Sequence, residues 1–272
     1  MKNFEYYAPT KVVFGRGTEN EAGKLVKEQG GNRVLVHFGG GSAVKSGLID
    51  RVCQSLEREG ISYVKLGGVQ PNPRLSLARE GIELCRTEKV DFLLAVGGGS
   101  VIDSAKCIGY GLANEGDVWD FYAHKRQAKG CMPIGAVLTI AAAGSEMSRS
   151  SVITNEDGWI KRGYNDDLSR CRFAVMNPEL TYTLPAYQTA SGCVDILMHT
   201  MERYFTKEEG TELTDSLAEG LLRTVMHCAR VLVKEPENYE ARAQVMWAGS
   251  LSHNGLLGCG MVEDWASHQL EH

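Results

Sequence analysis

The sequence predicts an α/β domain built on a parallel sheet, followed by an all-helical domain. In the first two thirds of the chain, short apolar runs alternate with helical patterns, and two of these runs end in a glycine cluster. Apolar runs that are buried on both faces are typical of parallel strands, which are joined by helices. Long windows of helical spacing follow Pro185. Because proline suits the start of a helix, we place the domains at residues 1–184 and 185–272.

The individual elements follow from the same patterns. Strands are predicted over residues 34–38, 61–66 and 90–96, each followed by a helical pattern, over 47–59, 75–87 and 101–109. The sequence Pro71-Asn72-Pro73 separates the second strand from its helix. In the second domain, helical windows cover residues 186–205, 212–233 and 239–251.

Composition excludes several classes of protein. The chain has 272 residues, with 29 basic and 34 acidic side chains, which argues against a nucleic-acid-binding protein. It contains neither an apolar signal core nor an apolar run of about 18 residues, so no membrane association is expected. The eight cysteines are scattered and form no C-x-x-C pair, which is typical of reduced thiols. We therefore predict a cytoplasmic protein.

The strand ending in Gly97-Gly98-Gly99-Ser100 predicts a phosphate site. Glycines allow backbone amides to approach a phosphate closely, and the following helix presents its positive N-terminal end to the anion. Ser100 and Asp103 have the spacing of an N-terminal capping box, which would set the start of this helix. The alternative is a plain strand–helix turn that needs glycine for a positive φ.

A second turn, Gly39-Gly40-Gly41-Ser42, follows the first predicted strand, where dinucleotide-binding folds often hold the adenosine ribose. NAD-selective sites commonly place a carboxylate there, but residues 37–49 contain none. Ser42 and Lys45 could donate to a 2′-phosphate, so NADP(H) is favoured over NAD(H). The alternative for Lys45 is an ordinary solvated lysine.

Two pairs of side chains suit a divalent metal. Asp195 and His199 are four residues apart, as are His268 and His272, so each pair lies on one face of a helix. Oxygen and imidazole ligands suit Fe(II) or Zn(II). A buried ion pair is the alternative for Asp195 and His199.

Residues 268–272 also match H-x-x-E-H, the motif of a class of zinc metallopeptidases. A peptidase would explain neither glycine turn, and it would need a third ligand and a substrate cleft beyond residue 272. A third interpretation of Leu270-Glu271-His272 is an expression-tag remnant.

Taken together, these motifs resemble the iron-containing (group III) alcohol dehydrogenase family, and most closely its butanol dehydrogenase-like branch. The resemblance covers the whole chain and depends on eight motifs in order. They are Phe14-Gly15-Arg16-Gly17, the turn at 39–42, Pro71-Asn72-Pro73, residues 97–103, residues 138–146, Asn177-Pro178-Glu179, and the pairs Asp195/His199 and His268/His272.

The resemblance implies a Rossmann-like domain and a helical domain, arranged as in the dehydroquinate synthase-like and iron-containing alcohol dehydrogenase proteins. It implies hydride transfer between NADP(H) or NAD(H) and a primary alcohol or aldehyde such as butanol or butanal. Asp195, His199 and His268 match metal ligands, and His272 matches the catalytic histidine beside the nicotinamide that helps to move the proton. The implied cofactor-binding residues are Gly39, Gly40, Ser42, Asn72, Gly98, Gly99, Ser100, Asp103, Thr139 and Lys161.

Two further expectations come from the resemblance. The family's fourth metal ligand is a histidine downstream of His272, so we expect a C-terminally truncated member with an incomplete helical domain. A truncated pseudoenzyme or fragment that binds dinucleotide without metal is the alternative to an active enzyme. Family resemblance also implies a homodimer.

Overall fold

In the part of the chain that the structure describes, six parallel strands form the main sheet. The structure, a computed structural model, describes residues 1–271 and the side chains of residues 1–270. Its strands are β1 (Lys11–Phe14), β2 (Arg33–Gly39), β3 (Ser62–Val69), β4 (Phe92–Gly97), β5 (Ile134–Leu138), β6 (Ser150–Asn155), β7 (Ile160–Asn165) and β8 (Phe173–Met176). The sheet order is β1-β8-β5-β4-β2-β3, and β6 and β7 form a separate antiparallel pair.

Helices connect the strands and then make up most of the second part of the chain. They are α1 (Ala22–Glu28), α2 (Ser42–Lys45), α3 (Leu48–Arg58), α4 (Leu75–Glu88), α5 (Gly99–Ala113), α6 (Trp119–Tyr122), α7 (Ala186–Tyr204), α8 (Glu212–Lys234), α9 (Tyr239–His253) and α10 (Ala266–Glu271). The predicted fold class, a parallel α/β domain followed by a helical domain, is confirmed. Among the described residues, no helix combines the length and apolar character needed to cross a membrane.

The α/β unit comprises Pro9–Thr139 and Arg149–Asn177. Its strands β4, β5 and β8 are buried throughout, as expected for central parallel strands that are covered by helices. Helices α3, α4 and α5 pack against the sheet. Phe92 and Phe173, on β4 and β8, stack with ring centroids 5.9 Å apart in the core.

The helical unit comprises Met1–Ala8, Ile140–Ser148 and the described residues from Pro178 onward. Helices α7, α8 and α9 pack on one another around an apolar cluster that includes Ile196, Val225 and Val245. The contacts thus group three segments with this unit that the boundary predicted at residues 184 and 185 assigns to the α/β domain, namely residues 1–8, 140–148 and 178–184.

Close packing explains why the segment 140–148 belongs to the helical unit. A Cβ atom on Gly192 of α7 would lie 2.4 Å from the carbonyl oxygen of Ala141. The Ser250 hydroxyl of α9 donates to the carboxylate of Glu146. Glycine at position 192 therefore lets this loop approach α7 more closely than any side chain would allow.

Candidate active site

Among the described residues, three potential metal ligands come together in the helical unit. Asp195 and His199 lie one turn apart on α7, and His268 lies on α10. One ligand atom from each of the three lies within 4.8 Å of the other two. Asp195 Oδ1 is 3.9 Å from His199 Nε2 and 3.6 Å from His268 Nε2. The carboxylate therefore faces both rings, and all three donors can converge on one ion.

The protonation of the two rings differs. Burial lowers the pKa of His199 to about 4, since only 6% of this residue is exposed. The nearby carboxylates of Asp195 and Glu202 raise the pKa of His268. His199 is thus neutral at pH 7, which is the form in which an imidazole binds a metal.

The buried Nδ1 atom of His199 has no hydrogen-bond partner within the described part of the chain. The other nitrogen of the ring, Nε2, is the atom that faces Asp195, 3.9 Å from Oδ1, so Nε2 is the atom that would bind the ion. One carboxylate and two imidazoles are also a donor set that divalent iron and zinc accept. The residues therefore fit a divalent metal.

An aromatic ring and a buried cation support the cluster. The ring of Trp265 lies 5.9 Å from that of His199 and 5.3 Å from that of His268. The guanidinium of Arg203 lies over Trp265, 4.4 Å from the ring centroid, and donates to the carbonyl oxygens of His199 and Ser252. The sequence analysis did not identify Trp265 or Arg203, although a charged residue inside a buried helix is a signal for such a role.

A third histidine, to which the sequence analysis assigned no role, packs beside the cluster. The ring centroid of His253 on α9 lies 4.3 Å from that of His199, and its Nδ1 is 3.3 Å from Arg203 Nη2. Because the guanidinium can only donate, Nδ1 of His253 is the acceptor. The predicted catalytic histidine, His272, lies outside the described residues.

The predicted nucleotide-binding residues cluster at one edge of the parallel sheet. Strands β3, β2, β4 and β5 are neighbours, and their carboxyl ends meet at this edge. Asn72 follows β3, the turn 39–42 includes the end of β2, the turn 97–100 includes the end of β4, and Thr139 follows β5. The backbone N–H of Thr139 donates to the carbonyl oxygen of Gly97 at 3.1 Å. Ligands of open α/β sheets bind at this edge.

Lys161 reaches the same region by another route. It lies on β7, opposite Thr154 of β6. The backbone N–H of Thr154 donates to the carbonyl oxygen of Pro73 at 2.9 Å. The β6–β7 hairpin therefore lies beside the Pro71-Asn72-Pro73 loop, which places Lys161 and Asn72 in neighbouring segments.

The capping box predicted for Ser100 and Asp103 is wrong. Helix α5 begins at Gly99, its N-cap is Gly98, and no side chain caps it. The Asp103 carboxylate instead accepts a hydrogen bond from the backbone N–H of Val152 on β6, at 3.0 Å. Since one carboxylate oxygen is committed to the hairpin, Asp103 helps to hold β6 against α5. Its contact with a cofactor stays a prediction.

The glycines of the two turns serve different purposes. None of those at 39–41 or 97–99 has the left-handed backbone conformation, so the alternative of a turn that needs a positive φ is wrong. A Cβ atom on Gly97 would lie 2.5 Å from Val101 Cγ2, so packing within the protein explains that glycine. A Cβ atom on Gly40 or Gly41 would meet nothing within 4 Å. Space at these two positions is open to a ligand.

Two family models match this chain. Residues 9–178 match the model of the iron-containing alcohol dehydrogenase family, and residues 189–272 match the C-terminal model of the Fe-containing alcohol dehydrogenase family. Because the second match includes residues 268–272, the H-x-x-E-H spacing needs no peptidase interpretation.

Three relatives illustrate the match. The probable NADH-dependent butanol dehydrogenase 2 of Bacillus subtilis is 45% identical over 272 residues, covering 100% of this chain and 70% of the relative. The NADPH-dependent aldehyde reductase YqhD of Escherichia coli is 40% identical, with the same coverage of both chains. The crystal structure of NADH-dependent butanol dehydrogenase A from Thermotoga maritima superimposes with a TM-score of 0.98 at 42% identity, covering 100% of this chain and 68% of that one. The chain belongs to the iron-containing alcohol dehydrogenase family.

Proposed function

We propose that this member of the alcohol and aldehyde oxidoreductases transfers a hydride between NADP(H) and a primary alcohol or aldehyde, such as butanol or butanal, at a divalent metal centre. The observation that carries the proposal is the convergence of Asp195, His199 and His268 within 4.8 Å. The relatives named butanol dehydrogenase and aldehyde reductase support the substrate class.

The metal would be held by the Asp195 carboxylate and the imidazoles of His199 and His268. When bound, the metal supplies Lewis-acid polarisation of the substrate oxygen and the reduced nicotinamide supplies the hydride. Asp195 offsets part of the metal's charge, and the burial of His199 keeps its ring neutral and ready to bind. Iron or zinc satisfies this donor set. His272 remains our predicted proton-transfer residue.

The cofactor would lie along the sheet edge formed by the ends of β2, β4 and β5. The turn 97–100 and the start of α5 would present backbone amides to the pyrophosphate. Gly40 and Gly41, with open space around them, leave room for the adenosine ribose.

NADP(H) is the proposed cofactor because of the charges beside that turn. Ser42 and Lys45 are both exposed on α2, and residues 37–49 contain no carboxylate to repel a 2′-phosphate. The relatives include enzymes named for NADH and for NADPH, so the local charges, rather than family membership, support this choice. Replacing Lys45 with Ala should weaken NADPH binding and leave NADH binding unchanged, as measured by nucleotide fluorescence. Equal effects on both cofactors would contradict the preference.

The experiment that tests the proposed activity compares wild-type protein with Asp195→Asn. Metal content is measured by mass spectrometry, and NADPH oxidation is followed with butanal after adding Fe(II) or Zn(II). Wild-type protein should bind metal and show metal-dependent oxidation, and Asp195→Asn should lose both, because the amide removes the charge that faces the two rings.

A carboxylate outside the proposed metal cluster provides the control for that experiment. Asp215 lies in the first turn of α8, and its replacement by Asn should leave metal content and oxidation unchanged. Full metal content and turnover in Asp195→Asn would contradict the ligand assignment. NADPH binding without metal or turnover in wild-type protein would instead describe a dinucleotide-binding pseudoenzyme or fragment.

We also propose a homodimer in the cytoplasm, as the family resemblance implies. Sedimentation velocity of the purified chain tests the dimer, which predicts a species of twice the 29.8 kDa chain mass. A single monomeric species at micromolar concentration would contradict it.

A further inference from the structure

Glu202 lies on α7, on the side of the helix that carries the proposed ligands. It follows Asp195 by seven residues and His199 by three, a spacing that places the three side chains along one helical face. Its side chain is 5% exposed, so the carboxylate is almost fully removed from solvent. A buried carboxylate needs partners, and those of Glu202 lie in the segment that contains His268.

Glu202 holds both the ring and the backbone of His268. Its Oε1 accepts a hydrogen bond from His268 Nδ1 at 2.7 Å and another from the His268 backbone N–H at 3.1 Å. Its carbonyl oxygen accepts from the backbone N–H of Asp264 at 3.0 Å. These contacts attach the segment 264–268 to α7, although His268 follows Glu202 by 66 residues.

The hydrogen bond to the ring determines which nitrogen of His268 is available. An ionised carboxylate only accepts hydrogen bonds, so Nδ1 of His268 carries the proton. In a neutral imidazole the other nitrogen, Nε2, then holds the lone pair. Nε2 is the atom that faces Asp195, at 3.6 Å from Oδ1. The Glu202 carboxylate therefore selects the tautomer of His268 whose lone pair, on Nε2, points toward Asp195 and His199, the other two proposed ligands.

The two histidines differ in how their positions are determined. His199 lies inside the 19-residue helix α7, whereas His268 lies in the 6-residue helix α10. So short a helix is not stable by itself, and its position depends on contacts with the rest of the protein. His199 Nδ1 has no hydrogen-bond partner in the described part of the chain, whereas His268 Nδ1 has Glu202. Of the two rings, His268 thus needs and has a carboxylate that orients it.

We propose that Glu202 is a positioning residue that orients His268 and fixes the tautomer in which Nε2 can bind the metal. The inference rests on the proposed metal centre and adds a residue for which the proposed function has no role. Carboxylates that accept from the second nitrogen of a ligand histidine are a general device in metal sites, and their loss typically weakens metal binding about 10- to 100-fold.

The first test measures the affinity of the full chain for Zn(II), by competition with a chromophoric chelator. Glu202→Gln keeps the shape of the side chain and removes its charge, so we expect about tenfold weaker binding, and about 100-fold weaker binding for Glu202→Ala. Glu263→Gln is the matched control. Glu263 accepts from Arg203 Nε and Trp265 Nε1, both at 2.9 Å, so the variant removes a nearby charge without touching a ligand histidine. Its affinity should stay close to that of wild-type protein.

The second test reads the tautomer directly, by ¹⁵N NMR of the histidine rings in metal-free protein near pH 8. His268, assigned with a His268→Gln variant, should show a protonated Nδ1 in wild-type protein and a shift toward protonated Nε2 in Glu202→Ala. A general loss of packing does not produce this exchange of protonated nitrogens. Thermal unfolding of each variant checks that it folds.

The outcomes separate this inference from the proposed function. If wild-type protein binds no Zn(II), the metal centre and the role of Glu202 are both wrong. If it binds Zn(II) and Glu202→Gln binds equally well, or if Glu263→Gln loses as much affinity, only the role of Glu202 is wrong. If the Glu202 variants do not fold, the wild-type spectrum decides, because a protonated Nε2 on His268 overturns the assignment.

Discussion

Alanine at Gly40 and at Gly97 should have opposite effects on stability and on cofactor binding. Both glycines lie at the carboxyl ends of neighbouring strands, β2 and β4, and neither has a left-handed backbone. A Cβ atom on Gly97 would lie 2.5 Å from Val101 Cγ2 and 2.8 Å from Val101 Cβ. A Cβ atom on Gly40 would have no neighbour within 4 Å. The same added methyl group therefore clashes with the protein at one turn and with nothing at the other.

These distances give the expected magnitudes. At Gly97, overpacking of this kind destabilises a protein by about 1–3 kcal/mol. At Gly40, loss of glycine's freedom in the unfolded chain should leave stability unchanged or raise it by about 0.4–1 kcal/mol. If the ribose or pyrophosphate occupies the open space, the methyl group at position 40 clashes with the cofactor instead. A penalty of about 1–3 kcal/mol on binding raises the Kd for NADPH about 5- to 150-fold.

The assay combines urea unfolding, which measures the free energy of unfolding, with NADPH fluorescence titration, which measures Kd. Ala113→Gly, at the far end of α5 from the turn, is the control for a glycine–alanine exchange away from the sheet edge. Unchanged NADPH affinity in Gly40→Ala would refute the assignment of this turn to the cofactor. Unchanged stability in Gly97→Ala would refute the packing argument.

Three further predictions test the fold and the surroundings of the metal cluster. Burial lowers the pKa of His37 from 6.5 to about 4. As the pH falls below 6.5, this histidine therefore takes up a proton in the unfolded chain before it does so in the folded protein. The stability that neutral His37 provides above pH 6.5 is then lost as the pH falls toward 4. The loss reaches at most about 1.4 kcal/mol per pH unit. Urea unfolding between pH 6.5 and 4.5 should therefore show a free energy of unfolding that depends less steeply on pH in His37→Gln than in wild-type protein. Equal slopes in the two proteins would contradict this prediction. Arg203→Met leaves the buried carbonyl oxygens of His199 and Ser252 without their donor. It should lower the free energy of unfolding by about 1–3 kcal/mol for each carbonyl oxygen. An unchanged urea midpoint would contradict this prediction. Asn238→Ala removes the side-chain cap on Ala241 N–H and should lower the free energy of unfolding by about 1 kcal/mol, whereas Asn238→Asp should retain most of it; equal losses in both would exclude capping as the cause.

Elements with a strong local pattern were predictable from the sequence. The predicted strand 34–38 lies within β2, and the predicted helices 75–87 and 186–205 match α4 and α7 to within one residue at each end. Apolar runs with glycine ends and long helical periods are local signals, so they survive in a single sequence.

Elements whose partners are remote in sequence were not predicted. Strand β8 pairs with β1 and β5, and its place in the sheet depends on contacts across most of the α/β unit. The β6–β7 hairpin is the exception, because its strands are adjacent in sequence and Asp157-Gly158 between them is a recognised hairpin signal that the prediction did not use. The capping box at Ser100 failed because of a remote partner, since the carboxylate of Asp103 accepts from the backbone N–H of Val152 in the hairpin.

The proposed metal cluster shows the same division between local and remote information. Asp195 and His199 follow from helical spacing, since α7 places residues i and i+4 on one face. Spacing also singles out the pair His268 and His272, but it does not show that His268 lies beside Asp195 and His199. That connection came from the family resemblance. Glu202 lies on the same helical face, but its role depends on the ring of His268 from α10.

The two proposed sites therefore differ in what determines their geometry, and this difference predicts how they respond to substitution. The nucleotide edge is built from backbone, because the register of four adjacent parallel strands brings their ends together. Side chains there that are not proposed to contact the cofactor can be exchanged as long as the space stays open. The metal cluster is built from side chains that hold other side chains, as Glu202 holds His268. Conservative changes that keep a side chain's shape but remove its charge should thus disturb the metal cluster far more than the nucleotide edge.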